Sequence, residues 1–231
     1  MNSTGGDVER WPEDSLLKSL TQPERHAILR LGSSREYKPG ATLIRQGELD
    51  RDIFVLLSGT VRVVSNNRDG STTTLAIRQR GDVIGEVAAL DERSRSATVI
   101  AATLVHARVI DSRSLMILLR EQAGIEKALS RYILTKLRQS TMRRSEQQGP
   151  VRQRLAQLLL DLAQRYGHIS GAGATTGVPL SQVELGAFIG ATEGSVHRAL
   201  TTLRRDGLIE TGHRNVSIVD VKALTDLAQN G

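Results

Sequence analysis

Residues 81–99, GDVIGEVAALDERSRSATV, contain the side chains that a phosphate-binding pocket needs. Gly85 permits a close approach of the backbone, and the forked guanidinium of Arg95 can bind two phosphate oxygens at once. The small residues after Arg95 add a hydroxyl and a backbone N–H, and Glu86 can accept a hydrogen bond from a ribose hydroxyl. A lone arginine in a turn is usually a solvated surface charge, but this combination is more specific. We therefore expect a pocket here, formed by a short helix and a turn.

A second segment, PLSQVELGAFIGATEGSVHRALTTLRRDGLIETG at residues 179–212, has the residue order of a helix-turn-helix. Ser181 and Glu184 suit a capping box on the first helix. Gly190 suits the sharp turn, and Thr192 can cap the second helix, whose first residues would then reach base edges in the major groove of DNA. The residues expected to contact DNA are Ser181, Gln182, Thr192, Glu193, Gly194, Ser195, His197, Arg198, His213 and Arg214.

Two partners are open for this helix pair, double-stranded DNA and another protein, because short capped helix pairs are common. The sequence RRDGLI at residues 204–209, followed by a glycine-tipped hairpin, is typical of a winged helix and favours DNA. Residues 143–231 carry ten Lys and Arg against eight Asp and Glu, a net charge of +2. DNA affinity should therefore depend on where these charges lie more than on their total.

The composition excludes several kinds of site. The 231 residues include no cysteine, which excludes disulfides, thiolate zinc sites and iron–sulfur clusters. The five histidines are scattered, so we expect no metal site and no cofactor, and no nucleophile–base pattern or P-loop indicates an enzyme. The net charge of +6 weakly favours polyanionic partners. No apolar run reaches about 18 residues, which predicts a cytoplasmic protein without a membrane partner.

The pattern of apolar residues changes type twice along the chain. Residues 12–31 read as short helices, with Thr21 and Glu24 as a capping box. From Tyr37 to Ile110 the period is that of strands, with glycine turns at regular intervals, which predicts a barrel or jelly roll. From Ser112 the period is helical, first in a short helix and then in a longer one.

The longer helix is predicted from about Ile125 to Gln148, and Gly149-Pro150 ends it because proline cannot continue a helix. One of its faces is apolar and the other basic. We expect the apolar face to pair with the same helix of a second copy, as in a short parallel coiled coil, which makes the protein a homodimer. The positions expected on this seam are Leu129, Tyr132, Ile133, Leu137 and Met142.

The residues after the proline predict a second compact unit. A helix is expected over residues 151–168, followed by a flexible loop at residues 171–177. After the helix-turn-helix, residues 208–211 and 216–219 predict a small hairpin that forms the wing, and Asp220 begins a closing helix.

From about Leu16 to Val219 the chain resembles the superfamily of the cAMP receptor protein and the fumarate–nitrate regulator. Residues 85–98 resemble the G-E-x-A-L…R-S-A-T pattern of its phosphate-binding segment, and the segment RRDGLI resembles winged-helix regulators as a class. The upstream glycine frame also resembles the β-roll of that family, at Pro39-Gly40, Gly47-Glu48, Asp52-Ile53-Phe54 and Gly59-Thr60-Val61.

The resemblance implies a cyclic nucleotide as effector. Gly85 and Glu86 would hold the ribose, and Arg95 with its neighbour would hold the cyclic phosphate. Ser140 falls where the family contacts the base, with Gln139 beside it in place of the threonine of the cAMP receptor protein. Base selectivity is therefore open between cAMP, which we favour, and cGMP. The expected ligand contacts are Gly85, Glu86, Val87, Arg95, Ser96, Ala97, Gln139 and Ser140.

The recognition helix departs from the pattern of the cAMP receptor protein itself. Glu193-Gly194 replaces its Arg-Glu pair, and Arg198 matches its third base-reading position. Because arginine to guanine is the commonest specific contact, we expect a different operator half-site, read chiefly by Arg198.

The resemblance implies an α+β fold and a transcription regulator controlled through its ligand. The alternatives are a relative that binds DNA without a cyclic nucleotide or with another effector, and an adaptor whose winged domain binds protein. RNA polymerase is a further candidate partner, and His26 and His106 are interpreted as ordinary histidines rather than haem ligands. The predicted segments are a disordered tail (1–11), a cyclic-nucleotide-binding-like β-roll (12–121), a dimerisation helix (122–148) and a winged helix-turn-helix (149–231).

Overall fold

A computed structural model describes residues 11–67, 72–145 and 149–230, with the side chains of residues 142–145 and 230 left out. Its contacts divide the chain into two compact units. The first contains residues up to 61 and 77–138, and the second contains 62–76 and 139–231. The boundaries between the two units therefore lie after residues 61, 76 and 138. The predicted segments end instead at residues 121 and 148.

The first unit begins with two short helices, α1 (Leu16–Ser19) and α2 (Gln22–Arg30). The Glu24 carboxylate accepts hydrogen bonds from the N–H and the hydroxyl of Thr21 at 2.8 and 2.7 Å, which confirms the capping box. The predicted tail lies outside the described residues except for Trp11. That side chain is only 4% exposed and packs in the core, so the prediction of disorder is wrong at this residue.

Eight strands follow along the chain: β1 (Ser33–Tyr37), β2 (Thr42–Ile44), β3 (Ile53–Ser58), β4 (Thr60–Asn66), β5 (Thr72–Gln79), β6 (Val83–Ile84), β7 (Thr98–Ala101) and β8 (Val105–Ile110). They form two four-stranded sheets, with the strand orders β1-β8-β3-β6 and β2-β7-β4-β5. The pairs β1–β8, β3–β8, β3–β6 and β2–β7 are antiparallel. Strand β3 reads IFVLLS and its first four side chains are buried, as expected for a strand covered on both faces.

Three helices accompany these strands: α3 (Glu86–Asp91), α4 (Ser112–Glu121) and α5 (Ala123–Ser145). Asp111 caps α4 through a 2.9 Å hydrogen bond from the N–H of Ser114. The first turns of α5 pack into the core of this unit through Ile125, together with apolar residues of α1, α2, β3 and α4. The long helix is therefore part of the first unit's core before it continues beyond it.

The second unit is a helical bundle with a small sheet. Helix α6 (Val151–Tyr166) packs against α7 (Gln182–Ile189), α8 (Glu193–Arg205) and α9 (Val221–Asn230). Asp220 accepts a 2.9 Å hydrogen bond from the N–H of Ala223 and so begins α9 as predicted.

The sheet of this unit has the order β11-β12-β10-β9, with β9 (His168–Ser170), β10 (Gly173–Thr175), β11 (Ile209–Gly212) and β12 (Asn215–Ile218). The flexible loop predicted at residues 171–177 is wrong in part, because β10 lies within it and pairs with both β9 and β12. Three residues make too short a strand for an alternating pattern to reveal. The mixed α and β content confirms the predicted fold class.

In the part of the chain that the structure describes, no helix is both long and apolar enough to cross a membrane.

Candidate ligand pocket and nucleic-acid interface

The turn between β6 and α3 depends on Gly85. Its φ of +83° lies in the left-handed region, which glycine adopts without the strain of a side chain. A Cβ atom at this position would lie 2.7 Å from Arg95 Nη1 and 2.8 Å from the carbonyl oxygen of Asp52. Glycine is therefore needed both for the turn and for the close approach of Arg95. The predicted close approach of a phosphate group to Gly85 stays a prediction.

The guanidinium of Arg95 is buried beneath this turn, with its side chain 2% exposed. Nη1 donates to the carbonyl oxygen of Gly85 at 3.0 Å, and Nη2 donates to that of Asp52 at 2.6 Å. The backbone of Arg95 is also fixed, because its N–H donates to the carbonyl of Glu48 at 2.8 Å and its own carbonyl accepts from Gly47 at 2.9 Å. Arg95 is thus not a solvated surface charge but a buried cation held by two loops.

The negative partner of Arg95 is Asp50, which sequence reasoning missed. Its carboxylate binds the guanidinium with both oxygens, Oδ2 at 3.3 Å from Nε and Oδ1 on Nη2. The Asp50 side chain is 49% exposed. The two residues are 45 positions apart in the chain, and no local pattern marks an exposed aspartate as the partner of a distant arginine.

Glu86 is the first residue of α3 and is half-buried. Burial raises the pKa of its carboxyl group, and a backbone hydrogen bond and the positive charges of Arg78 and Arg95 offset this only in part. A carboxyl group with a raised pKa can accept a hydrogen bond from a sugar hydroxyl, or donate one when protonated.

The other expected ligand contacts divide between the two units. Val87 and Ser96 are exposed beside the turn and Arg95, and Ala97 is buried. Gln139 and Ser140 lie on α5 within the second unit and are both half-buried. Their contact with a base stays a prediction.

The segment that carries the pocket is joined to α5 by buried polar contacts. The hydroxyl of Tyr132 donates to the carbonyl of Val83 at 3.0 Å. Lys136 Nζ lies 3.0 Å from Asp82 Oδ1 and 3.3 Å from Asp14 Oδ2. Burial raises the pKa of Asp82, although the neighbouring ammonium opposes this. Asp82 and Val83, which precede the Gly85 turn, therefore contact the long helix directly.

These contacts correct part of the predicted dimer seam. Leu129 and Tyr132 are 3% and 4% exposed within their own unit, so neither can face a second copy. Ile133 is half-buried, and the side chain of Met142 is outside the described residues. Among the described side chains of α5, the large apolar ones that are exposed are Leu137, which was expected, and Leu134, which was not. The 3.6-residue period predicted an apolar stripe but could not show which side of it the first unit covers.

The helix-turn-helix forms as the sequence predicted. The N–H of Ser181 donates to the Glu184 carboxylate at 2.7 Å, and Ser181 Oγ accepts from the N–H of Glu184 at 3.3 Å. Gly190 ends α7 with a φ of +62°, and Thr192 Oγ1 caps α8 by accepting from the N–H of Ser195 at 3.3 Å. The buried side of α8 is formed by Val196, Ala199, Leu200 and Leu203.

The opposite side of α8 presents polar side chains near its N-terminus. Arg198 is exposed, and its Nη2 donates to Ser195 Oγ at 3.1 Å. His197 Nδ1 lies 3.3 Å from Gln182 Oε1, so the first residue of α7 belongs to the same polar surface. Thr192, Glu193 and Gly194 are at this end of the helix as well.

The turn between β11 and β12 contains His213 and Arg214, both exposed. Arg214 Nη2 donates to Glu184 Oε2 at 2.8 Å, which ties this turn to the start of α7. Glu184 also forms an ion pair with Arg62, at 2.7 Å, within the second unit. Burial opposes ionisation of Glu184, but the hydrogen bonds from Ser181 and the two arginines outweigh it and lower its pKa. Sequence reasoning identified Glu184 as a cap and missed this second role.

Among the described residues, no three His, Asp or Glu side chains lie close enough together to hold a metal ion.

Comparisons with known protein families match both the segment around Arg95 and the helix-turn-helix. The family model of the cyclic nucleotide-binding domain matches residues 34–122, which include the Gly85 turn and Arg95. The model of the Crp-like helix-turn-helix domain matches residues 153–227, which include α7, α8 and the hairpin. The chain belongs to the Crp/Fnr family of transcription regulators. The resemblance stated from the sequence motifs is thereby confirmed.

Relatives in this family align along most of the chain. The CRP-like cAMP-activated global transcriptional regulator of Mycobacterium tuberculosis is 27% identical over 195 residues, 84% of this chain and 87% of that protein. The cyclic AMP receptor protein of Thermus thermophilus is 26% identical over 217 residues, 92% of this chain and 96% of that protein. The crystal structure of a CRP-family transcriptional regulator from Thermus thermophilus has a TM-score of 0.74 at 27% identity, covering 85% and 97% of the two chains.

Proposed function

We propose that this Crp/Fnr regulator binds operator DNA as a homodimer under the control of a cyclic nucleotide, with cAMP favoured over cGMP. The observation that carries the proposal is the buried guanidinium of Arg95 beneath the Gly85 turn, beside the carboxyl group of Glu86. A forked cation, a close-approach glycine and a carboxyl group are what a ribose cyclic phosphate requires. Two relatives at 26–27% identity are named for cAMP, which supports this choice of effector.

Each predicted ligand residue has a place in this proposal. Arg95 and Ser96 hold the cyclic phosphate, with Ala97 and Val87 beside them, and Gly85 and Glu86 hold the ribose. Gln139 and Ser140 contact the base. Because Tyr132 and Lys136 join the pocket segment to α5, ligand binding can change the preferred position of that helix. A ligand shifts such a balance only by its difference in affinity for the two states.

On DNA, the exposed N-terminal part of α8 enters the major groove. Arg198 is the main base-reading residue, and Glu193 can accept a hydrogen bond from cytosine. Ser181, Gln182, Thr192, Ser195, His197 and the turn residues His213 and Arg214 contact the DNA backbone. Contact with RNA polymerase stays a prediction, and we propose no catalytic activity. The named relatives are bacterial transcription regulators, whose DNA lies in the cytoplasm, and this supports a cytoplasmic location for the protein.

The proposed dimer forms through α5, along Leu134 and Leu137. The two recognition helices of a dimeric helix-turn-helix protein must lie about 34–36 Å apart to enter successive major grooves, because that is the length of one turn of B-DNA. One protomer supplies one recognition helix, so a second copy is needed to bind a symmetric operator.

A titration of the full-length, nucleotide-stripped protein with cAMP, and in parallel with cGMP, tests the effector. The expected calorimetric result is saturable binding of one nucleotide per protomer, with cAMP the tighter. No heat with either nucleotide, from protein whose folding is shown by a cooperative thermal transition, contradicts cyclic-nucleotide control and leaves the DNA-binding proposal in place.

A second candidate function is favoured by one observation: Arg95 already has a carboxylate partner in Asp50. A relative that binds DNA without a cyclic nucleotide needs such a partner permanently, because a buried cation without one is costly. Operator binding that is unaffected by any nucleotide favours this second candidate.

A further inference from the structure

The fork of Arg95 that a phosphate needs is occupied by a carboxylate of the protein itself. A guanidinium has five N–H donors. Of these, Nε and one donor of Nη2 bind the two oxygens of Asp50, the other donor of Nη2 binds the carbonyl of Asp52, and one donor of Nη1 binds Gly85. Asp50 uses the side-by-side geometry in which arginine binds phosphate.

We propose that Asp50 is an internal competitor for the anionic ligand of this pocket. Its carboxylate closes the Arg95 fork in the unliganded protein and leaves when the phosphate group of the nucleotide takes its place. This inference rests on the proposed function, since it concerns the same ligand and the same arginine.

The burial of the two partners shows which one moves. The Arg95 side chain is 2% exposed and the Asp50 side chain 49%. Two backbone carbonyls and the paired backbone at residues 47–48 hold Arg95, whereas the carboxylate is the exposed member of the pair. When the Asp50 side chain rotates away from Arg95, water can replace the arginine as the hydrogen-bond donor to its carboxylate. The buried guanidinium has no access to solvent, so water cannot replace the carboxylate in the same way. The ligand therefore displaces the aspartate and leaves the arginine in place.

The charges of Arg95 and Asp50 determine how strongly Asp50 changes the affinity for the nucleotide. Arg95 and Asp50 together carry no net charge, so the closed ion pair offers an anion no excess positive charge. A ligand must replace an existing charge-assisted pair instead of forming a new one, and one such pair changes an affinity by about 10- to 100-fold. Asp50 thus lowers the affinity for the nucleotide and raises the concentration at which the regulator responds.

Calorimetric titration of the full-length protein and its Asp50→Asn variant with cAMP and with cGMP tests this inference. Asparagine keeps the size of the side chain and removes its charge, so we expect the variant to bind at least about tenfold more tightly than the wild type. The matched control is Glu48→Gln, two residues away, which makes the same charge change at a side chain paired with Arg45. The control should bind within about twofold of the wild type, because exposed charges contribute little.

Each outcome decides the question. Binding by the Asp50→Asn variant alone, or much more tightly than by the wild type, supports the competition. Equal affinity of the wild type and the Asp50→Asn variant overturns the competition and leaves the proposed function in place. An equal gain of affinity in the Glu48→Gln control has the same consequence, because it indicates a general effect of charge. No binding by any form contradicts the proposed function, and the inference falls with it. If Asp50→Asn lacks a cooperative thermal transition, Asp50→Ser is measured in its place under the same expectations.

Discussion

Arg95 shows at the scale of a single residue how local chemistry determines a site. A buried guanidinium needs acceptors on several sides, and here two carbonyls and one carboxylate provide them. The same buried position prevents the side chain from turning to solvent, so the guanidinium keeps its place beneath the Gly85 turn. Under the proposed function, the group is in place before a ligand binds, which lowers the entropic cost of binding.

Substitution of Arg95 by alanine should abolish the nucleotide response. The phosphate loses a bidentate charged partner, so we expect at least about a 100-fold loss of affinity in a calorimetric titration. The nearby exposed Arg93→Ala variant is the control and should bind as the wild type does. Unchanged affinity in the Arg95→Ala variant is incompatible with this pocket.

Substitution of Arg198 by alanine should weaken operator binding by about 1–3 kcal/mol and relax the sequence preference at one base pair of each half-site. Fluorescence anisotropy with the operator and with single-base variants of it measures both effects. Arg204→Ala, at the exposed C-terminal end of the same helix and outside the proposed contact surface, is the control and should leave the base preference unchanged. An Arg198→Ala variant that keeps the full base preference would remove Arg198 from the recognition surface.

At the scale of elements, the helix caps and turns were predictable because their determinants lie within four residues of one another. The capping boxes of Thr21 and Ser181 and the turn at Gly190 are of this kind. Contacts between distant segments were not predictable, since a sequence shows that Asp50 and Lys136 are charged but not what they face. The period of α5 likewise predicted an apolar stripe on the helix. It could not show that Tyr132 packs into the core of its own unit, because that depends on tertiary packing.

Substitution of Lys136 by methionine tests the link between α5 and the pocket segment. Removing the ammonium leaves the buried Asp82 carboxylate without an ion-pair partner on α5, although the N–H of Gln79 still donates to it at 3.0 Å. This should lower the free energy of unfolding by about 3 kcal/mol near neutral pH. Urea denaturation of the variant, and of a Lys136→Met/Asp82→Asn double variant, measures this. The double variant should recover part of the loss.

The pH dependence of that loss has a definite sign. Burial already raises the pKa of Asp82, and loss of the ammonium raises it further. Asp82 then binds a proton more readily in the folded protein than in the unfolded chain. The Lys136→Met variant should therefore regain stability as the pH falls towards the ordinary pKa of an aspartate side chain. A loss that stays constant from pH 7 to about 4.5 would show that Asp82 is not the group responsible.

At the scale of the whole molecule, the proposed function gives each of the two units a separate task. The first unit contains the candidate ligand site and the anchored part of α5, and the second contains the helix that we propose enters the major groove. The second unit carries little net positive charge, so its affinity for DNA should depend on two copies acting together. Under the proposed function, dimerisation through α5 should therefore be required for tight operator binding.

Replacement of both Leu134 and Leu137 by glutamate should convert the dimer to a monomer, because two charges per helix cannot be buried against each other. Analytical ultracentrifugation at micromolar concentration measures the change, and operator affinity should fall by at least about 100-fold. Leu104→Glu changes another exposed leucine, in the β7–β8 turn, and should leave the dimer intact. A double variant that remains dimeric places the seam elsewhere.

The most direct test of the central claim is the affinity of the wild-type protein for its selected operator, measured by fluorescence anisotropy at increasing concentrations of cAMP. We predict a saturable change in operator affinity of at least about tenfold, with a midpoint that matches the nucleotide affinity from calorimetry. An operator affinity that is identical without cAMP and at saturating cAMP would contradict control of DNA binding by the nucleotide.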